Sequence, residues 1–306
     1  MRIAILDLGT NTFNLLIVDT YDNKFSTVFK SKIPVKLGAG GINNNIIDNE
    51  TFNRGINSFI ELYKQTLNYN CDKIQAIATS AIRSANNGEL FIKKIYERTE
   101  VKIKIITGEE EAKYIFIGVK NTINFPNENI LVLDIGGGSN EFIIANNNNI
   151  ILKRSFKLGM ARLLDLFNPE DIISDYTILQ ITKFLNNELS TCINNWKTKN
   201  IKKLIGSSGA FNTIASLIFT NKNLNKMKNL SNKILLDDFY SLYNILIKSS
   251  LNERKNMKGM PLFRAEMIVV AMIFIKFIIE KLNITELYQS RYALKEGIIF
   301  DIIEND

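Results

Sequence analysis

The chain has 306 residues, 46% hydrophobic and 23% charged, which is typical of a folded globular protein long enough for two domains. Its formal net charge of +7 favours an anionic partner, but no dense run of Lys and Arg indicates DNA or RNA. The absence of histidine excludes a Ser-His-Asp triad, a Cys-His pair and an imidazole base, so proton transfer falls to a carboxylate, Lys or Tyr.

The N-terminal half predicts alternating strands and helices. Residues 3–6 and 13–18 are apolar runs that predict a hairpin, and residues 27–35 predict a third strand before a glycine-rich loop. The next predicted elements are a helix over 48–67, a strand over 74–78, a helix over 88–99, a strand over 101–106 and a helix from Thr107. This alternation indicates an α/β domain over residues 1–124.

A segment over residues 121–129, with Pro126 inside it, is the best candidate linker to a second domain over 125–306. The elements predicted after it are strands over 130–133, 141–144 and 150–156, a mainly helical stretch, a strand over 203–205, a core helix over 267–279 and a helix over 294–303. We expect the terminal segment 294–306 to pack back on the first domain. Lys276 interrupts the apolar run, which is too short to span a bilayer, so no membrane partner is expected. Two lone cysteines without a signal peptide predict a cytoplasmic location.

Two loops of similar design each follow one apolar strand and precede another. They read Asp7-Leu8-Gly9-Thr10-Asn11-Thr12 and Asp134-Ile135-Gly136-Gly137-Gly138-Ser139-Asn140. Glycine lets backbone approach an anion closely, and successive amide groups in such a turn form a donor site for phosphate oxygens. The alternative is a pair of tight turns in which Asp and Asn serve only local hydrogen bonds. Their recurrence in both halves favours duplicated domains that hold phosphate between them.

The aspartates Asp7 and Asp134 begin these loops, where a carboxylate would repel phosphate. They suit a divalent cation that bridges protein and phosphate, because Mg²⁺ prefers a few carboxylates together with water and substrate oxygens. The sequence therefore predicts Mg²⁺, or Mn²⁺, as a cofactor.

Glu111 and Arg83 are the candidate catalytic residues. Thr107 and Glu110 have the spacing of a capping box, which accounts for Glu109 and Glu110 but less well for Glu111, beside an apolar run. Glu111 could be the base for an attacking water, and Arg83, just past a strand, could bind phosphate with two nitrogens. The alternatives are that Glu111 only stabilises the start of the helix and that Arg83 is an ordinary surface residue.

Seven segments in order resemble the exopolyphosphatase and guanosine pentaphosphate phosphohydrolase (Ppx/GppA) family, over nearly the full length of the chain. They are residues 5–13, 35–38, 78–83, 107–113, 134–141, 206–209 and 291–297. The resemblance implies two actin-like (ribonuclease H-like) α/β domains, each with a mixed sheet flanked by helices, and a cleft between them.

The resemblance also assigns roles to residues of this chain. It implies that Glu111 positions the attacking water, that Arg83 compensates phosphate charge, and that Asp134 and Glu141 assist the cation. The phosphate-binding residues that it implies are Gly9, Thr10, Asn11, Gly136, Gly137, Gly138, Ser139, Ser208 and Gly209. The last two belong to the 206–209 loop, for which a plain helix-start turn is the alternative.

Two departures accompany the resemblance: Asn14 stands where many relatives have His, and Lys113 where Arg is common. The implied activity is release of terminal phosphate from polyphosphate, with short chains expected because a helical C-terminal extension is lacking. The alternatives are pppGpp 5'-phosphohydrolase, a kinase of the superfamily, an actin-like filament or chaperone ATPase, and a non-catalytic sensor of polyphosphate or guanosine tetra- and pentaphosphates. A homodimer is the commonest oligomeric state and is the one expected.

Overall fold

Two mixed sheets form the frame of the protein in the computed structural model, which describes residues 1–147, 149–222 and 229–305. The first sheet has the order β3-β2-β1-β4-β5. Its strands are β1 (Arg2–Leu8), β2 (Thr12–Tyr21), β3 (Lys24–Pro34), β4 (Lys73–Ala78) and β5 (Ile103–Ile105). The first three strands pair antiparallel, whereas β4 and β5 continue from β1 in parallel.

The second sheet repeats this plan and adds one edge strand, in the order β8-β7-β6-β9-β11-β10. Its strands are β6 (Ile130–Ile135), β7 (Asn140–Asn146), β8 (Asn149–Phe156), β9 (Lys203–Ser207), β10 (Ser231–Ile234) and β11 (Glu286–Ser290). The β6–β7 hairpin is the counterpart of β1–β2, because each forms the antiparallel pair that leads into a parallel set. The predicted fold class, two α/β domains with mixed sheets flanked by helices, is confirmed.

Eleven α-helices flank these sheets within the described residues. They are α1 (Asn49–Leu67), α2 (Ser80–Ser84), α3 (Gly88–Thr99), α4 (Gly108–Lys120), α5 (Met160–Phe167), α6 (Asp175–Lys197), α7 (Ser208–Asn221), α8 (Leu236–Ile247), α9 (Leu251–Asn256), α10 (Ile268–Leu282) and α11 (Leu294–Asn305). None of them is both long and apolar enough to cross a bilayer. Helix α10 is the predicted core helix: its residues are almost all buried, and the residue after it, Asn283, caps its C-terminus with a φ of 53°.

Helices α4 and α11 pack between the two sheets. One continuous apolar cluster contains Ile5 of β1, Val132 of β6, Ile115 of α4 and Ile299 of α11. Strand β1 alternates its side chains between this cluster and a second one on its outer face, where α1 and α3 pack. As a result, both hairpin loops are fixed relative to one shared core.

The contact between α4 and α11 depends on two glycines. A Cβ placed on Gly118 would overlap the carbonyl of Ala293, and one on Gly297 would overlap the carbonyl of Tyr114. The helices also pair their charges, with Lys113 Nζ 3.2 Å from Asp301 Oδ1. The terminal helix therefore packs on α4, a helix of the segment predicted as the first domain; residue 306 lies outside the described residues, and the domain boundaries stay a prediction.

Sequence reasoning missed both β10 and β11. Their residues, Ser231–Ile234 and Glu286–Ser290, are short and polar, so no alternating apolar pattern marks them. The strand predicted over 101–106 is confined to Ile103–Ile105. These strands form because a neighbouring strand offers hydrogen bonds, which local sequence does not reveal.

We expect Gly297→Ala to lower the free energy of unfolding by about 1–3 kcal/mol, because the added methyl group would push α11 away from the α4 backbone. Urea unfolding monitored by circular dichroism would measure this change. Glu188→Ala, on the exposed side of α6, is the control and should leave stability within about 0.5 kcal/mol. Equal stability of Gly297→Ala and the parent protein would contradict the described helix contact.

Candidate active site

A cleft of about 380 Å³ opens where the two hairpin loops meet. The predicted site residues that line it are Asp7, Gly9, Thr10, Asn11, Glu111, Asp134, Gly136, Gly137, Gly138, Ser139, Ser208 and Gly209. Two other predicted residues lie beside them: Arg83 contacts Glu111 and Ser139, and Glu141 lies behind Ser139. The structure thus brings together residues predicted from segments more than a hundred positions apart.

The two loops share one backbone geometry and face each other. The amide of Gly9 donates to the carbonyl of Thr12 (3.2 Å), and the amide of Gly136 donates to the carbonyl of Ser139 (3.1 Å). A Cβ placed on Gly138 would lie 2.6 Å from Thr10 Oγ1, so no residue with a side chain fits this position without displacing its neighbour. Glycine suits this position because the side chains of Thr10 and Ser80 lie against its backbone.

The glycine-rich segment after β3 supports the first loop. The amides of Val35 and Lys36 both donate to the carbonyl of Asn11, at 2.9 and 3.0 Å, and the amide of Gly38 donates to the carbonyl of Thr10 at 3.3 Å. Because these bonds engage the carbonyl groups of the loop, its conformation is set from outside the cleft.

Glu111 lies in the first turn of α4 with its side chain in the cleft. The predicted capping box is confirmed: Thr107 Oγ1 accepts from the amide of Glu110, and Glu110 Oε2 accepts from the amide of Thr107. Lys104 pairs with Glu110 at 2.7 Å and lowers its pKa to about 2. Glu109 is exposed, whereas Glu111 is only 8% exposed. Burial raises the pKa of Glu111 to about 7 against the opposing effect of Arg83, so this carboxyl group can hold or release a proton near neutral pH.

Arg83 joins Glu111 to the second loop. Its Nη1 donates to Glu111 Oε2 and to the carbonyl of Ile106, both at 2.9 Å, and its Nη2 lies 3.5 Å from Ser139 Oγ. The guanidinium therefore pairs with the acid and also faces the hairpin where phosphate was predicted.

Glu141 lies behind Ser139 and is 1% exposed. The hydroxyls of Ser139 and Ser155 both donate to its Oε1, at 2.6 and 2.7 Å. Burial, and then the charges of Glu111 and Asp134, raise the pKa of Glu141 well above its usual range. This carboxyl group therefore acts on the cleft through Ser139 and is not among the described residues that line it.

Asp134 receives two hydroxyl hydrogen bonds from the start of α7. Ser207 and Ser208 both donate to Asp134 Oδ2. The φ of Ser208 is +66°, in the left-handed region that favours glycine, so backbone strain accompanies the turn that brings this hydroxyl to the carboxylate. Burial raises the pKa of Asp134, and the two serine hydrogen bonds oppose that rise.

Asp7 occupies the equivalent position in the first sheet. It pairs across the hairpin with Asn14, as Asp134 pairs with Glu141. Asn14 Nδ2 donates to Asp7 Oδ2 at 3.0 Å, and Lys295 Nζ lies 4.0 Å from the same oxygen. Asn14, which itself lines the cleft, thus orients the Asp7 carboxylate.

Two carboxylates of the cleft are placed to bind the predicted cation. Asp7 and Asp134 line the cleft from opposite sheets, and burial raises the pKa of each, as is expected for acids placed where a positive charge would stabilise them. Among the described residues no three acidic or sulfur ligands cluster tightly enough to form a metal site by themselves. Mg²⁺ suits this arrangement because it binds one or two carboxylates and completes its coordination with water and substrate oxygens.

Several residues that line the cleft were not predicted from sequence. Arg264 covers Gly209 so closely that a Cβ at that glycine would overlap its guanidinium, and burial lowers the pKa of Arg264 to about 10. The others with charge are Lys30, Lys32, Arg291, Lys295 and Glu296. The two lysines on β3 carried one usable signal, since residues two apart on a strand share a face; Arg264 carried none.

Arg162 of α5 connects the second loop to the first half of the chain. It is 6% exposed and donates to the carbonyl of Gly138 at 2.9 Å, the carbonyl of Ile42 at 2.6 Å and Ser84 Oγ at 2.8 Å. A buried guanidinium needs all of these partners, because each missing hydrogen bond would leave a desolvated donor. Arg162 therefore holds the second loop against the first half of the molecule.

Comparison with known proteins finds relatives along the whole chain. A protein from Pseudoalteromonas atlantica named guanosine-5'-triphosphate,3'-diphosphate pyrophosphatase is 27% identical over 302 residues, which are 99% of this chain and 58% of that protein. The chain thus spans little more than half of that relative.

Solved structures give the same result. The crystal structure of an exopolyphosphatase from Cytophaga hutchinsonii is 32% identical, covers 100% of this chain and 98% of its own, and superposes with a TM-score of 0.96. A Ppx/GppA family member from Aquifex aeolicus, 21% identical with a TM-score of 0.81, shares the fold over 100% of this chain and 98% of its own. The Ppx/GppA phosphatase family itself matches residues 16–306. The chain therefore belongs to the Ppx/GppA phosphatase family.

Proposed function

We propose that the chain is a phosphoanhydride hydrolase that releases terminal orthophosphate from inorganic polyphosphate, with a preference for short chains. The observation that carries this proposal is the position of Glu111, a buried acid with a pKa of about 7 in a cleft between two glycine loops. Such a hydrolysis requires a base that accepts a proton from water and hydrogen-bond donors that bind the phosphate oxygens.

In the proposed mechanism the terminal phosphoryl group lies between the two loops. Amides of the glycine loops and the Arg83 guanidinium bind its oxygens. Glu111 accepts a proton from water as the water oxygen bonds to phosphorus, and the anhydride P–O bond breaks on the opposite side. Positioning and charge compensation account for most of the rate in phosphoryl transfer, so no covalent nucleophile is required.

Asp7 and Asp134 are the residues that would hold Mg²⁺ or Mn²⁺, with Glu141 behind Ser139 on the same hairpin. A bound divalent cation would supply positive charge for the phosphate oxygens and for the leaving group. The donor atoms fit this role because both aspartates belong to the cleft and both are stabilised by hydrogen-bond donors that leave the carboxylate charge in place.

Hydrolysis of pppGpp is the second candidate function. It is supported by the name of the Pseudoalteromonas atlantica relative, and both substrates present a terminal phosphoanhydride. None of the described residues that line the cleft is aromatic, but the Phe263 ring lies beside Lys32 and Arg264, which do line it, so stacking of a guanine base would involve that ring. A homodimer and a cytoplasmic location stay predictions.

We expect Glu111→Gln to reduce the turnover number for tripolyphosphate by about 10²–10⁴-fold, because the amide cannot accept the proton of water. Phosphate release measured by a coupled colour assay would give kcat and KM. KM should change little, since the size and hydrogen bonding of the side chain are kept.

Glu109→Gln is the matched control, because Glu109 is an exposed neighbour in the same turn. It should retain the parent activity within about twofold. Unchanged turnover in Glu111→Gln would remove the proposed mechanism, and phosphate transfer that requires an acceptor alcohol would indicate a kinase instead.

We expect Asp134→Asn to raise the Mg²⁺ concentration needed for half-maximal activity by about tenfold or more, because the substitution removes one carboxylate charge from the proposed cation site. Mg²⁺ titration of activity, together with calorimetric Mg²⁺ binding, would measure the effect. Asp237→Asn, on the exposed side of α8, should match the parent protein. Full activity of the parent in EDTA would contradict the cation requirement.

We expect short polyphosphates to be hydrolysed with a higher kcat/KM than very long ones, since a cleft of about 380 Å³ contacts only a few phosphoryl groups and a longer chain gains no further contacts there. Polyphosphates of defined length and pppGpp would be compared at equal concentrations of terminal phosphate. Equal processive turnover of very long polymer would contradict the preference, and a higher kcat/KM for pppGpp would make the nucleotide the main substrate.

A further inference from the structure

Helix α6 and the end of α5 carry the densest group of exposed large hydrophobic side chains in the part of the chain that the structure describes. Fifteen such side chains are exposed there, and four of them fall within residues 166–179. These four are Leu166, Ile172, Tyr176 and Leu179, each between 47% and 67% exposed. Single exposed hydrophobic residues are normal in a soluble protein, whereas a contiguous group marks a surface that binds a partner.

Helical geometry gathers part of this group on the outer side of α6. The inner side is marked by residues that are buried at every fourth position from Ile181 to Leu189 and that pack into the core. Tyr176 and Leu179 are three positions apart, and Lys183 follows four positions later, so the three side chains lie next to one another. All three are exposed, which places them opposite the buried side.

The end of α5 widens this outer surface. Phe167 of α5 and Phe184 of α6 pack edge to face with their ring centroids 5.5 Å apart, so the end of α5 lies beside α6. Leu166 precedes Phe167 in α5, and Ile172 comes shortly before α6 begins. We call Leu166, Ile172, Tyr176, Leu179 and Lys183 the α6 face. None of these residues lines the cleft.

The charge along α6 reverses about the middle of this face. Asp175, Leu179 and Lys183 are spaced by four positions, so they form one row along the helix with Leu179 at its centre. Within the described residues, neither Asp175 nor Lys183 forms an ion pair. If two copies of α6 pack antiparallel about a two-fold axis beside Leu179, Lys183 of each copy lies opposite Asp175 of the other and close to its Tyr176 ring.

We propose that the α6 face is the interface of a symmetric homodimer, in which α6 packs antiparallel against α6 of a second copy. A two-fold axis requires a surface that is complementary to itself, and the row from Asp175 to Lys183 meets this requirement. The four exposed hydrophobic side chains supply about 300–400 Å² per copy, roughly half of the about 800 Å² that each partner buries in a stable interface. This inference goes beyond the proposed function and does not use it.

Analytical ultracentrifugation of the parent protein should give a mass that approaches twice the 34.9 kDa of one chain, with a dissociation constant of about 1–10 µM. Leu179→Asp should weaken the dimer about 100-fold or more, because two carboxylates would meet at the apolar centre. Ile245→Asp, which replaces an equally exposed hydrophobic residue on α8, is the matched control and should dimerise like the parent. Both variants should keep the circular dichroism of the parent, since neither position is buried.

A charge reversal tests the antiparallel packing directly. Asp175→Lys and Lys183→Glu should each weaken the homodimer about tenfold, because each places like charges opposite one another. The double variant, Asp175→Lys/Lys183→Glu, should regain the parent affinity. An equimolar mixture of the two single variants should form a heterodimer, since every charge then meets its opposite.

A parent protein that stays monomeric at about 100 µM would overturn the proposal, even if the face bound some other protein. A dimer that survives Leu179→Asp would assign dimerisation to another surface, and single variants that do not combine would refute the antiparallel packing. Hydrolysis of tripolyphosphate by Leu179→Asp should stay within about twofold of the parent, since the α6 face is outside the cleft. A dimeric parent without phosphatase activity would support this inference and contradict only the proposed function.

Discussion

The site depends on four carboxyl groups that are held close together with little access to bulk water. Asp7, Glu111, Asp134 and Glu141 are each 8% exposed or less, and burial raises the pKa of each. The effective cost of burying an unpaired charge is roughly several kcal/mol, so these groups need protons, hydrogen bonds or cations. Serine hydroxyls, one amide and a single guanidinium provide hydrogen bonds, and a substrate that arrives with a divalent cation would provide the remaining positive charge. In the proposed function, the buried acids and a phosphate group can share one cleft only if a divalent cation lies between them.

The arrangement also requires that both loops keep a fixed separation, which the shared core and Arg162 provide. Gly118 and Gly297 let α4 and α11 touch between the sheets, and α4 carries Glu111 in its first turn. Arg162 bonds the carbonyl of Gly138 from one side and that of Ile42 from the other. The base, the arginine and the two donor loops are therefore positioned by packing in the middle of the molecule rather than by the loops themselves.

Much of the fold and part of the site could be predicted, because the signals were local. Glycines beside an aspartate at the end of an apolar strand indicated the two loops, and the capping box left Glu111 as the acid without a capping role. The family resemblance is confirmed by the match over residues 16–306. Arg162 and Arg264 could not be assigned, because their positions in the site depend on distant residues that they meet only in the folded chain. Strand β11 was missed for the same reason, since it exists only as a neighbour of β9.

The site residues that the sequence predicted and those that it did not predict correspond to two parts of substrate recognition in the proposed function. In the proposed mechanism the glycine loops, Arg83 and Glu111 meet only a terminal phosphoryl group, and that group is the same in polyphosphate and in pppGpp. Relatives named for either substrate can therefore share this apparatus, and the family alone does not choose between them. The choice must come from whatever the cleft presents beyond the terminal phosphate. In this protein the cleft adds Lys30, Lys32 and Arg264 to the two loops, and the Phe263 ring lies beside the last two, so these residues are where further phosphate and a nucleobase would be distinguished.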